Sequence, residues 1–365
     1  MRTGFGLVLL TAALAHAAGG EWRLERRMVA CCGEGSPQFA AALAGGPRGV
    51  LVGVPAQSVG RAFLLDDSTG GVLARLDAPA GSRDFGRAVA AAGGALAVGA
   101  PDVAAVFVFG AGTASPSQTL HDPHAGGDVN EFGRALALGA TDVVVGAPFD
   151  DADGVDAGAV WVFERATGAL RFALRSPAAH AGARFGTAVA ISGDDAIVGA
   201  AAENTTGVVT AYSLRTGSVR WTRTAPASAA DRLFGFAVAA DARHVAVGAP
   251  CRDGTSDAGL AFVLDRATGK TLRDLSGPST GACDFFGGAV ALGAGAVVVG
   301  ARHGGERATG AVHVFAASTG RPLASFGAGA GTAQVGWAVA TRGARVLAGA
   351  AGSEGDVRVY RRARD

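Results

Sequence analysis

Four aspartates, Asp150, Asp151, Asp153 and Asp156, surround Gly154 in the stretch FDDADGVDAG, residues 149–158. Spaced carboxylates beside a turn glycine are the donors that a calcium loop uses, although the ion needs six to eight oxygens. Calcium is therefore the one cofactor the chain could take, and none is required. A second observation points to turn chemistry. Asp257-Ala258-Gly259 repeats Asp156-Ala157-Gly158 ahead of a similar apolar run, and Asp and Gly both accept left-handed backbone. His121 and His124, with Asp128 nearby, have the spacing of a zinc pair but lack a third ligand at fixed distance. Together with His180 they read as polar loop residues.

The cysteines are Cys31, Cys32, Cys251 and Cys283, with no CxxC spacing. Residues 1–17 carry Arg2, an apolar run from Phe5 to Ala15 and the small-x-small site Ala15-His16-Ala17. That is the pattern of a secretory signal peptide, too short to span a bilayer. The chain is expected to be secreted to the extracellular space, or to the periplasm in a bacterium, where cysteines pair. Asn204-Thr205-Thr206 is then a glycosylation acceptor in a eukaryotic source. A formal net charge of +1 argues against nucleic acid as a partner, and no later run is apolar enough for membrane insertion. No nucleophile–base order, phosphate-cradling loop or catalytic carboxylate pair is found, so no enzyme is expected.

The elements that must position these residues come from a repeat. FGRAVA at Phe85, FGRALA at Phe132, FGTAVA at Phe185, FGFAVA at Phe234 and FGGAVA at Phe286 are joined by weaker copies at Phe39 and Val335. A second mark follows in each unit, VGVP at Val52, VGAP at Val98, Val145 and Val247, VGAA at Val198, VGAR at Val299 and AGAA at Ala348. Then come an alternating run such as AVWVF from Ala159, a TG turn and a fourth run. Four short strands in units of 45 to 50 residues are the signature of a propeller blade. Residues 18–365 are thus predicted to form one all-β, seven-bladed β-propeller of four-stranded antiparallel blades.

The last unit lacks a fourth strand, and EWRLERRM from Glu21 has that strand's pattern, with Trp22 and Leu24 on one face. The N-terminal strand should complete the last blade and close the ring. In such a ring the hairpins between second and third strands share a face with the connections between blades. Cys251 and Cys283 then lie close together, and a Cys251–Cys283 disulfide is predicted. Cys31 and Cys32, in the connection into the first unit, could form a vicinal pair, bond another chain or stay reduced.

The paired FG and GAP marks resemble the FG-GAP family, whose repeats form the propeller of integrin α subunits and of exported microbial proteins. The resemblance covers residues 21–365 and implies contact with a protein or glycan ligand through loops on one face, by a chain expected to be a monomer. It also implies calcium in a DxDxDG loop between first and second strands, but the connections here, such as AAAGGALAVGAP, are too short for that loop. A lectin-like propeller would repeat aromatic residues in its loops, whereas Trp22, Trp161, Trp221 and Trp337 fall mainly within strands. The Cys31–Cys32 pair is similar to one in quinone-dependent dehydrogenases. Those have eight blades, and their metal site and base are not recognisable here.

Overall fold

The computed structural model describes residues 22–29, 38–56, 59–78, 81–110, 112–124, 130–229, 232–251, 258–278, 283–304, 309–327, 334–352 and 355–363. Seven four-stranded antiparallel sheets follow one another as the blades of a propeller. Blade three shows the plan: Ala135–Leu138 innermost, then Asp142–Ala147, Ala159–Glu164 and Leu170–Leu174 at the rim. Blade seven takes Gln334–Arg342, Arg345–Ala351 and Asp356–Arg362 from the C-terminus and Trp22–Met28 from the N-terminus. The added strand is antiparallel to its neighbour, with Trp22 opposite Arg362 and Met28 opposite Val357. Trp22 and Leu24 pack into the same layer as Phe326 and Tyr360.

The core is a set of seven apolar layers, one at each seam between adjacent blades. This explains why second strands are buried throughout. In Asp142–Ala147, Val143 and Val145 enter the layer shared with blade two, while Val144 enters the layer shared with blade four. Period-two alternation thus feeds two interfaces instead of one core and one surface. The repeated phenylalanines Phe85, Phe132, Phe185, Phe234 and Phe286 are at most 1% exposed, each contributing roughly 1.5–3 kcal/mol by burial.

The two marks of the repeat meet across every seam. The FG glycine has positive φ, as in Gly133 (93°) and Gly186 (89°). Its N–H donates to the carbonyl of its own blade's GAP glycine, with Gly133 to Gly146 at 3.1 Å. Its own carbonyl lies where a Cβ on the preceding blade's GAP glycine would stand. Gly146 meets Gly186 in this way, as Gly53 meets Gly86, Gly99 meets Gly133, Gly199 meets Gly235, Gly248 meets Gly287 and Gly300 meets Gly336. At the seventh seam Gly349 meets Ala40, a non-glycine residue held at φ 62°. Two bare backbones in contact let the inner strands converge on the axis, which side chains would prevent.

At the rim the outer strand of one blade is tied to the TG turn of the next. Arg26 donates to the carbonyls of Ser68 (2.6 Å) and Thr69 (2.8 Å), Gln118 to Ala166 (2.8 Å), Arg171 to Leu214 (3.1 Å), Arg223 to Thr268 (2.8 Å) and Arg273 to Ser318 (3.1 Å). The arginines of the fourth strands therefore do more than guard an exposed edge. They also satisfy turn carbonyls on the neighbouring blade.

Candidate functional site

The hairpins between second and third strands and the connections between blades make up one face, here called the loop face. The opposite turn face carries hairpins as short as two residues, with Ala92 paired to Ala95 around Gly93-Gly94 and Ser192 to Asp195 around Gly193-Asp194. No three-carboxylate loop fits in such a turn.

On the loop face the acidic hairpin of blade three is held by its neighbours. Asp150 is buried, and its carboxylate accepts from the Ala152 N–H at 3.1 Å and lies 3.2 Å from His124 Nδ1. Asp153 pairs with Arg175 Nε at 3.1 Å, and the same guanidinium stands 3.9 Å from Asp150 and over the Trp161 ring. Asp151 accepts from the Asp156 N–H at 2.7 Å, with Asp156 at φ 53°. Arg184 and Phe185 donate backbone hydrogen bonds to Asp156 and Ala157. A Cβ at Gly158 would run into the Phe185 backbone. The donor set does not fit calcium, because two of its four carboxylates face a guanidinium and a third holds a backbone N–H. Among the described residues no group of three or more His, Cys, Asp or Glu side chains could hold a metal.

Glu203 occupies the place of Asp150 in blade four and explains both. It is 1% exposed and both carboxylate oxygens lie 2.8 Å from Ser176 Oγ, in the connection entering that blade. Burial pushes its carboxyl above the usual range, while the Ser176 hydrogen bond pulls the other way. Asp102 in blade two accepts from the Arg83 N–H at 2.7 Å and from Ser82 Oγ. In each case an acid two or three residues beyond the GAP glycine-alanine pair fastens the hairpin to the incoming connection. Aligning the units on GAP shows this series in the sequence.

The remaining sequence candidates separate. Cys251 and Cys283 are bonded, Cα–Cα 5.8 Å, joining the hairpin of blade five to the connection into blade six. Asn204 is exposed on the loop face, with φ 51°, and its N–H donates to His180 Nε2 at 3.2 Å. His121 ends the outer strand of blade two and is exposed. Cys31, Cys32, Asp128, Asp253, Asp257 and the segment 1–21 lie outside the described residues.

A group that the sequence reading overlooked gathers at the inner rim of the loop face. The residue after FG lies in a bulge of the inner strand, as the register jump from Val335 to Ala338 shows in blade seven. That position holds Phe236 in blade five and Trp337 in blade seven, the latter 36% exposed. Phe236 and Phe285 pack edge to face at 5.4 Å. The Arg302 guanidinium lies 3.6 Å from the Phe285 ring centroid and 4.7 Å from that of Trp337. Phe285 is two residues past Cys283, next to the buried Asp284, whose carboxylate accepts from the Phe286 N–H at 2.9 Å. Across the axis, blades two and three place Arg87 and the Glu131–Arg134 ion pair at the same level. Burial lowers the Arg87 pKa and so does the Arg134 charge, while Asp84 and Glu131 oppose them. Trp337 lies within a strand and yet faces outward, so its place in a strand is no argument against ligand contact. Comparing the residue after each FG or its weaker copy finds Phe236 and Trp337, but Phe285 and Arg302 come from other positions of the repeat.

Residues 123–163 and 174–213 match the profile of the FG-GAP repeat. No curated protein matches the chain. The chain therefore carries FG-GAP repeats in blades three and four, and the stacked glycines seen there recur at six of the seven seams.

Proposed function

We propose that this protein is an exported, non-catalytic recognition module that binds a protein or glycan ligand through the loop face, as an adhesion protein does. An FG-GAP propeller suggests a ligand-binding module. The observation that carries the finer reading is the cluster of Phe236, Phe285, Arg302 and Trp337 at the rim of that face. Aromatic and arginine side chains brought together on a rigid scaffold are the usual centres of binding energy. The Cys251–Cys283 bond and the signal-like residues 1–17 support export. The half-exposed Trp337 ring favours a glycan among the ligand classes, since an aromatic face stacks on sugar C–H bonds.

The test is binding of the purified chain to a glycan array and to a panel of extracellular matrix proteins, alongside Trp337→Ala and Phe236→Ala. The reading expects a ligand in one panel and a loss of roughly tenfold or more in affinity on removing either ring, as anchor residues show. Binding that survives both substitutions would move the site elsewhere, and a bound chromophore in the purified protein would favour an enzyme instead.

A further inference from the structure

Six of the seven seams repeat the same glycine contact, with Ala40 in place of one glycine at the seventh, and the tie from outer strand to turn recurs around the ring, so little in them distinguishes one internal blade from another. Six seams join blades consecutive in the chain. The seventh must be found by the two ends, and there Asp67 meets Arg345 across 278 positions and Gly46 meets Arg342 across 296.

The turn face carries the distinguishing charges. At the start of the second strand, blade three has Asp142 and blade four Asp195, whereas blade seven has Arg345. Two residues before the TG threonine, blade three has Arg165 and blade five Arg266, whereas blade one has Asp67. Two seams among the described residues hold an ion pair between the sheets of adjacent blades, and their polarity is opposite. Between blades four and five, Arg266 of the later blade pairs with Asp195 of the earlier one, which Arg220 also contacts at 2.5 Å. Between blades seven and one, Asp67 of blade one pairs with Arg342 and, at 2.9 Å, with Arg345 of blade seven. Arg342 also donates to the carbonyls of Gly46 (2.6 Å) and Pro47 (3.0 Å), and Glu25 of the closing strand takes Arg345 on its other side (2.7 Å).

We propose that this reversed polarity selects blade one as the blade that closes on blade seven and rejects closure by an internal blade. Blade five or blade three docked on blade seven would set Arg266 or Arg165 against Arg342 and Arg345. Blade one docked on a still-open blade four would set Asp67 against Asp195. Like charges at partly buried sites disfavour the wrong partner while the correct pair is neutralised. Effective concentration then favours the chain's own blade one over that of a second copy.

The experiment refolds the full chain from guanidinium at rising protein concentration and reads the monomer yield by size exclusion with light scattering. Asp67→Arg, which gives blade one the polarity of an internal blade, is expected to raise misassembled species several-fold. Asp67→Asn, which removes the charge while keeping the side-chain shape, should raise them less. Adding Asp195→Asn to Asp67→Arg removes the wrong acceptor and should recover much of the monomer. If Asp67→Asn and Asp67→Arg refold to the wild-type monomer yield, the proposal is overturned, whatever happens to their melting temperatures. It is equally overturned if Asp195→Asn leaves the Asp67→Arg defect unchanged, or if Asp67→Asn misassembles as much as Asp67→Arg.

Discussion

His313 sits in the third strand of blade six at the position that Phe107 holds in blade two and Trp161 in blade three. It is 5% exposed, with Nδ1 3.0 Å from Ser325 Oγ and its ring 5.4 Å from Phe286. Burial lowers its pKa from 6.5 to about 4, so the folded protein keeps the ring neutral while the unfolded chain protonates it near 6.5. Between those values the unfolded state binds more protons, and stability must fall as pH falls. At about pH 4.5 the distance below 6.5 is about 2, and at 1.36 kcal/mol for each the loss is roughly 2.5 kcal/mol. Glu203 and Asp284, both raised by burial, act in the opposite sense, and a comparison with His313→Phe removes them because both proteins carry them. The assay is guanidinium unfolding of wild type and His313→Phe at about pH 7 and about pH 4.5. The variant should lose roughly 2.5 kcal/mol less than wild type between the two conditions. An equal loss in both proteins would refute the reasoning, because His313 would then be protonated in the folded state or solvated in a way this site does not permit.

The glycine contact gives a pair of tests with opposite signs. Gly146→Ala places a Cβ against the Gly186 carbonyl, so the seam must open. Thermal unfolding should show a loss of roughly 3 kcal/mol or more, in the range of severe overpacking. Ala40→Gly relieves a left-handed alanine and should stabilise by about 1 kcal/mol. Calcium titrated against the wild-type chain should leave the melting temperature unchanged, because the Arg175 guanidinium already faces Asp150 and Asp153. A rise that disappears in Asp153→Ala would restore calcium to the hairpin.

The blade count, the four strands per blade and the closing N-terminal strand were legible because each rests on local repetition. Period-two runs separated by turn residues recur, and one strand missing at the C-terminus is matched by one extra at the N-terminus. The FG and GAP marks could be recognised but not explained, since at six seams their glycines meet partners on adjacent blades 33 to 40 residues away in sequence. The acidic hairpin was the harder case. Asp150 resembles a metal donor until Arg175, His124 and its counterpart Glu203 are seen to play one anchoring part. Trp337 looked like a strand residue, and the bulge that turns it outward depends on the positive φ of Gly336.

What the sequence alone determined is architecture: strand period, turn residues and a repeat that can bury its apolar faces only by stacking. What only the tertiary structure decided is which side chains meet. Rolling seven similar units into a ring brings residue n of one blade beside residue n of the next, across distances the chain order does not reveal. That closure gathers Phe236, Phe285, Arg302 and Trp337 at one rim and sets Asp67 between Arg342 and Arg345 at the seam.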